Sequence, residues 1–548
     1  MPARFGPTAF ISAVIVVAGS VLSACGSSDG AVEYVVDGAL PTYNTATVVG
    51  AASGAPQAFS RVQTGFGFHG PDGQVVADRD FGTVSVVGRA PLILDYKIND
   101  NAVYSDGKPV TCDDMVLAWA AQSGQFPAFD AANHAGYADV GVLDCQPGQK
   151  KARVTFARDR AFIDYAQLFA ATSMMPAHVL DDTLGLGDGG VTKAIQDVDG
   201  PTIDRVAQAW NTTWNLDSST DLKKFPSAGP YKVGSVAKDG SITLVANDKW
   251  WGAKPTVVKV TVEPRSADLA GRIKSGKVEV VDVAAGSIGD LSVSDNYTRT
   301  DSPSAGIQQL IFAAQGPLAD PAARRAVSLC TPRDAVAGIA GAPVSNVRLN
   351  PASDDSLTVA ENPGDGAQFD NADIDGARAA INRQPLNVRI GYRGPDARLA
   401  AVVAAITKSC TAAGVTVQDA ASPTVGPQSL RANEIDVLLS GLGGAAGSGS
   451  SGSSSMDAYA LHSGNGNNLS GYNNDRVDGV IGALAVNADA KEQARLLGEG
   501  SPVLWGDLPT LPLYRQQRTL LVAKSIAAVS ANPTRWGAGW NMDRWGSK

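Results

Sequence analysis

Hydrophobic positions along the chain fall into three kinds of pattern. The first is an uninterrupted block from Ala9 to Leu22, preceded by a single charge at Arg4. It is shorter than the roughly 20 residues of a membrane span and has the form of the hydrophobic region of a secretory signal. The second is the strand pattern, in Ile242–Val245 and in Val257–Val262 with its alternation around Lys259 and Thr261. The third is the helical stripe. Thr111 with Asp114 three residues on makes a capping box, after which Met115, Ala118 and Trp119 share one face. Asp320-Pro321 is a second start signal, with proline at the first helical position. The clearest stripe follows Pro395-Asp396: Leu399, Val402, Val403, Ile406 and Cys410 line one face, and Gly414 supplies the stop. Short strands and helices alternate throughout without an internal repeat, which predicts a mixed α/β protein.

One stretch has neither period. Gly441 to Ser455 is dominated by glycine and serine, and by composition it reads as a flexible linker or mobile loop. Because it lies inside a globular region, a loop is the expectation.

Composition changes this picture in only a few places. The 548 residues suffice for two or three domains, and 44% hydrophobic with 18% charged residues is ordinary for a globular chain. The formal net charge of −9 becomes one unit more negative once Arg4 is removed with the leader. An acidic balance argues against nucleic acid, whose binding rests on basic patches. Directly after the apolar block comes Leu22-Ser23-Ala24-Cys25, then Gly26-Ser27-Ser28-Asp29-Gly30. Apolar, small, small, cysteine resembles a bacterial lipobox, which makes Cys25 the acylated first residue of the mature protein. Two or three acyl chains anchor stably, at roughly 0.8 kcal/mol per buried methylene. Four further cysteines remain, Cys112, Cys145, Cys330 and Cys410. An even count in an exported chain reads as disulfides. Three pairings are open, and nearness in sequence favours Cys112–Cys145 with Cys330–Cys410.

Catalytic and metal-binding constellations were sought in turn. The four histidines, His69, His134, His178 and His462, have no metal-helix spacing, and no HExxH occurs. The serine tract contains no G-x-S-x-G elbow. Asp197-Val198-Asp199-Gly200 has the start of a calcium loop, but Ile195 and Val206 stand where ligands are needed. No P-loop or dinucleotide glycine fingerprint is present. These readings point away from an enzyme, with no cofactor and no metal. The tryptophans, among them Trp210, Trp214, Trp250 and Trp251, are candidates for core or for an apolar ligand cleft.

A resemblance to a known family rests on six segments in order. Tyr96 to Asp114, with Ser105-Asp106-Gly107-Lys108-Pro109-Val110-Thr111 at its centre, resembles the signature of family 5 extracellular solute-binding proteins, the dipeptide, oligopeptide and nickel-binding family. Met175-Pro176-Ala177-His178-Val179-Leu180 follows. Then come Ser227-Ala228-Gly229-Pro230-Tyr231 with Asn247 to Pro255, and Leu318 to Ser328 with Arg333-Asp334. Gly471 to Asp478 and Asp507 to Tyr514 complete the set. The resemblance implies a two-lobed periplasmic-binding-protein type II fold with an extra subdomain in the first lobe. It implies a signal over 1–24 and a lipid tether over 25–35. Lobe I would span 36–304, with the subdomain near 60–200. Lobe II would span 305–505, and 506–548 would return to lobe I. It further implies a monomeric capture subunit of an ABC importer, lipid-anchored on the outer face of the cell membrane. That subunit would close on a peptide and deliver it to the permease. A metal chelate, a haem-like tetrapyrrole or an oligosaccharide is the alternative cargo, and a secreted hydrolase the remaining class.

The expected cleft residues are Tyr43, Asn44 and Thr45 after the first strand, Phe66 and Phe68 at a turn, and Ser440, Gly441, Leu442, Gly443 and Gly444 at a strand end. At that strand end the sequence departs from the family pattern. Peptide-binding members carry a tryptophan and, three residues on, an aspartate that pairs with the peptide amine; here Leu442 and Ala445 stand in those places. Asp457, beyond the serine tract, is the next carboxylate and the candidate substitute.

Overall fold

The computed structural model describes residues 1, 31–289, 293–351, 357, 359–362 and 364–548. Cys25 and the expected signal segment lie outside the described residues after the first. Ten strands form one sheet. Their order across the molecule is Val415–Asp419, Leu386–Gly391, Val437–Ser440, Tyr297–Phe312, Thr510–Ala523, Val280–Ala284, Val32–Val36, Lys259–Pro264, Ile242–Ala246 and Tyr231–Val236. Val32–Val36 runs parallel to both of its neighbours, and so does Leu386–Gly391. Each of these parallel sets is the centre of one α/β lobe.

The two lobes share the long antiparallel strands Tyr297–Phe312 and Thr510–Ala523, of 16 and 14 residues. Their register shifts between Pro303 and Ile307, where a proline without an N–H interrupts the ladder. To one side of the shift, Tyr297 and Leu521 pack with Val35, Leu269 and Val281. To the other, Leu310, Phe312, Leu511 and Leu513 pack with Ile390, Val403, Ile406 and Val437. Two strands that enter separate apolar cores at their two ends form the waist of a bilobed, type II periplasmic-binding-protein fold.

The extra subdomain is a four-stranded antiparallel sheet in the order Gly82–Arg89, Leu92–Ile98, Lys151–Phe156, Val140–Asp144. Leu92, Leu94, Tyr96 and Ile98 point inward by the two-residue period. Helix Cys112–Gln122 packs in the same apolar cluster. Its Asp114 carboxylate accepts from the Thr111 N–H at 3.1 Å, which is the capping box. Helix Pro321–Cys330 starts on the Asp320 cap. Helix Ala397–Ala412 buries Leu399, Val402, Val403, Ile406 and Cys410 as one stripe. Cys112 is bonded to Cys145 with Cα atoms 5.8 Å apart, and Cys330 to Cys410 with Cα atoms 4.8 Å apart.

The structure corrects two expectations here. Residues 32–35 are not tether: Val32–Val36 is a central strand, with Tyr34, Val35 and Val36 fully buried. The glycine- and serine-rich tract is not an exposed flexible segment either. Ser448, Ser450, Ser451, Ser453 and Ser455 are all buried, because the tract runs between the lobes and a nearby carboxylate gathers its donors.

Candidate interlobe cleft

The cleft is built where strand ends of the two lobes face one another. Val437–Ser440 hydrogen-bonds along Tyr297–Phe312, with Ser440 opposite Gln309. The chain then turns tightly, the Gly441 N–H donating to the Ala445 carbonyl at 2.8 Å. Gly443 and Gly444 sit at φ 61° and 86°, backbone that a side chain disfavours. Beyond the turn, Gly447 passes so close to Asp37 and Arg518 that an added Cβ would lie 3.1 Å from each. The Ser448 hydroxyl donates to the Pro533 carbonyl at 3.2 Å, the Arg535 N–H to the Ser450 carbonyl at 3.0 Å, and the Ser453 hydroxyl to Asp164 at 2.5 Å. The tract thus fastens lobe II to the C-terminal return and to the subdomain.

Two cavities lie between residues of the two lobes. One cavity, of about 210 Å3, has Gly38, Ala39 and Pro41 on one wall and Ser440, Gly444 and Ala446 on the other. Its charged groups bridge the lobes: Arg265 Nη2 donates to Asp396 at 3.2 Å and its Nε lies 3.5 Å from Asp37, while Arg393 Nε donates to the Asp37 carbonyl at 3.2 Å. Burial pushes the Asp37 carboxyl upward, and Arg265 and Arg518 oppose that. The second cavity, of about 40 Å3, is lined by Thr45, His69, Thr172, Arg535 and Trp536 from the first lobe's side, with Met456 from the second. Burial drives His69 down to about 3, so its ring is neutral.

The structure separates the residues that sequence reasoning grouped. Ser440 and Gly444 line the larger cavity and Thr45 the smaller. Gly441, Leu442 and Gly443 form the turn itself. Tyr43 instead packs edge-on against Phe59 and Phe225 and donates its hydroxyl to the Pro226 carbonyl at 3.1 Å. Asn44 donates to the Trp210 carbonyl at 3.0 Å. Phe66 lies between Phe81 and Tyr96 in the core. Phe68 lies beside Trp540, with the Arg61 guanidinium 5.0 Å over its ring. Tyr43, Asn44 and Phe66 are buried and Phe68 is partly buried among these partners, and none of the four lines either cavity.

Asp457 is also not a free anchor. It accepts from the Ser450 hydroxyl at 2.6 Å, the Ser451 N–H at 2.8 Å, the Ser451 hydroxyl at 2.7 Å and Asn350 Nδ2 at 2.8 Å. Burial raises its pKa, and the serine and asparagine donors oppose the rise. Sequence reasoning missed Arg265, Arg393, Asp396, Arg535 and Trp536. Their neighbours in space are far away in the chain, and no local motif marks them as cleft residues; Asp396 is visible in the chain only as a helix cap. Among the described residues no group of three or more histidine, cysteine or acidic side chains could hold a metal ion.

A cleft between two lobes joined by two strands is the geometry of a solute-binding protein, and the comparisons agree. Residues 90–465 match the model of the bacterial extracellular solute-binding proteins, family 5. The chain is 58% identical over 534 residues to an uncharacterized lipoprotein of Mycobacterium leprae, covering 96% of both chains. It is 58% identical over 540 residues to one of Mycobacterium tuberculosis, covering 98% of this chain and 96% of that one. Two solved structures share the fold. The oligopeptide-binding protein AppA of Bacillus subtilis, bound to a nonapeptide, has a TM-score of 0.75 at 14% identity, covering 94% of this chain and 99% of that one. The periplasmic EDTA-binding protein EppA has a TM-score of 0.72 at 18% identity, covering 97% and 99%. The chain belongs to family 5 of the bacterial extracellular solute-binding proteins. It is an extracytoplasmic, lipid-anchored substrate-binding protein of the ABC-importer type, in a family and fold of binding proteins rather than enzymes.

Proposed function

We propose that this lipoprotein captures short peptides between its lobes and delivers them to the permease of an ABC importer. It would act as a monomer held to the membrane through acyl chains on Cys25, with 32–304 and 506–548 forming one lobe and 305–505 the other. The observation that carries the peptide reading is the pair of small-residue main-chain walls. Gly38-Ala39 faces Ser440, Gly444 and Ala446 across the larger cavity, and small residues let a ligand backbone approach and bond to main-chain groups. The mycobacterial oligopeptide-binding protein OppA, 29% identical over 195 residues, supports the same cargo class.

One consequence separates this protein from amine-anchoring relatives. Ala445 has no carboxylate, Asp457 is engaged by its own loop, and Asp396 is paired with Arg265. The peptide amine therefore has no charged partner in the cleft among these residues. Acetylating the N-terminus of a bound peptide should cost less than about tenfold, where removing a charge-assisted bond costs about 1.5–3 kcal/mol, or one to two decades. Native mass spectrometry of the freshly purified lipoprotein identifies the copurified cargo, and calorimetry on one peptide with and without the acetyl group tests the anchor. A loss beyond a hundredfold on acetylation would refute the site as drawn. A copurified metal chelate in place of a peptide would shift the cargo to the second reading, which EppA's EDTA ligand illustrates on the same fold.

A further inference from the structure

The smaller cavity contains one charged side chain whose partner is missing. Among its neutral wall groups, His69 Nε2 pairs with Gln167 Oε1 at 2.7 Å while its Nδ1 is buried without a partner, and Trp536 Nε1 donates to Thr172 Oγ1 at 3.1 Å. Arg535 is different. Its guanidinium lies over the Trp536 ring, 4.5 Å from the centroid. Its Nε is buried without a partner. Among the described residues the guanidinium makes no hydrogen bond, and no carboxylate lies within ion-pair distance of it. The charge that it feels most is Asp457, whose oxygens are taken by Ser450, Ser451 and Asn350. Arg535 is partly buried, and a cation partly withdrawn from water without an anion is left incompletely solvated. Stacking on an indole face supports the plane of the guanidinium and leaves its N–H edge free, and that edge matches an oxyanion in two parallel bonds.

The geometry points to Arg535 as the anchor for a carboxylate of the cargo, held at the interlobe cavity with Trp536 as its platform. The inference deepens the peptide reading and rests on it for the source of the carboxylate, the peptide C-terminus. A small non-peptide acid offers the same oxyanion and is the other source. Cargo would then be selected at its acidic end, which fits a cleft without a carboxylate for the amine.

The test uses the mature lipoprotein in detergent and native mass spectrometry. The probes are a random tripeptide library as free acids, the same library amidated at the C-terminus, and succinate. Free-acid peptides are expected to bind about 10- to 100-fold tighter than the amides, the size of one charge-assisted contact. Arg535→Met should remove that preference without further weakening the amides, and Arg535→Lys should keep part of it. The melting temperature of empty Arg535→Met should match or exceed that of the parent, because an unpaired, partly buried charge is gone. A merely structural arginine would lower it. Equal binding of acids and amides by the parent overturns the inference, and so does an equal loss for both in Arg535→Met. If no peptide binds while succinate binds in an Arg535-dependent way, the peptide reading falls and the oxyanion site stands. Failure of all three probes to bind overturns the site.

Discussion

Replacing Asp457 tests the account of the serine tract most directly. The carboxylate accepts four hydrogen bonds, from Ser450 Oγ, Ser451 N, Ser451 Oγ and Asn350 Nδ2, at 2.6–2.8 Å. Alanine would strand these donors in a buried place. The two hydroxyls can rotate toward other acceptors; Ser451 Oγ already has the Ser453 carbonyl at 3.2 Å. The Ser451 N–H and the Asn350 amide have less freedom. Two stranded donors at about 1–3 kcal/mol each give about 2–6 kcal/mol. Losing a carboxylate that burial already disfavours returns part of this, so the net expectation is about 2–4 kcal/mol. Asp457→Asn, which keeps the shape and one acceptor, should lose about half as much. Urea unfolding reads the change as a lower midpoint at unchanged slope. Limited proteolysis should show new cleavage within 446–455 in the alanine variant, while the parent resists. An alanine variant with the parent's midpoint and the parent's protease resistance would refute the proposal that this carboxylate organises the tract.

Three other outcomes follow from the same structure. Cys330→Ala with Cys410→Ala opens a link of sequence separation 80, and Cys112→Ala with Cys145→Ala one of 33. By loop entropy these cost about 4.5 and about 3.7 kcal/mol, so thermal unfolding should rank the first pair as the more damaging. Glu33 lies beside Glu263 and Glu279, its N–H donating to the latter at 2.8 Å. Burial, with the Glu263 carboxyl next, pushes the Glu33 carboxyl up to about 8 from an ordinary 4.5. The folded state therefore binds this proton more tightly than the unfolded chain. Its contribution to stability is full below about pH 4.5 and is lost as pH rises through about 8. Melting curves across that range should show the parent losing stability relative to Glu33→Gln as pH rises, and a pH-independent difference would contradict the assignment. Finally, Cys25→Ala should leave an unprocessed precursor that an acyl-chain probe does not label.

Much of the framework was legible in the chain. The helix beginning at Asp396 was visible because its cap, its stripe and its terminal glycine are all within a few turns of each other. The same holds for the capped helix at Thr111 and for the α/β alternation that places a parallel set in each lobe. The cysteine partners are near enough in sequence for proximity to be a guide. What the chain could not show is which surfaces cover which. Val32–Val36 has a strand's composition, yet its central place depends on neighbours Lys259–Pro264 and Val280–Ala284, more than two hundred residues on. Tyr43 and Thr45 are two positions apart, and only the packing of Phe59 and Phe225 sends one to the core and the other to a cavity. The serine tract has the composition of a linker, and in isolation it would be one. Asp457, Pro533 and Asp164 supply the acceptors that order it, and two of these come from the other lobe's side. Arg535 carries no motif at all; the role proposed for it arises because the folded structure partly buries it beside a cavity and gives its charge no partner among the described residues. Local periodicity reports which face of an element avoids water. Which groups meet across a cleft, and which are left wanting a ligand, depends on contacts between distant segments that only the tertiary structure brings together.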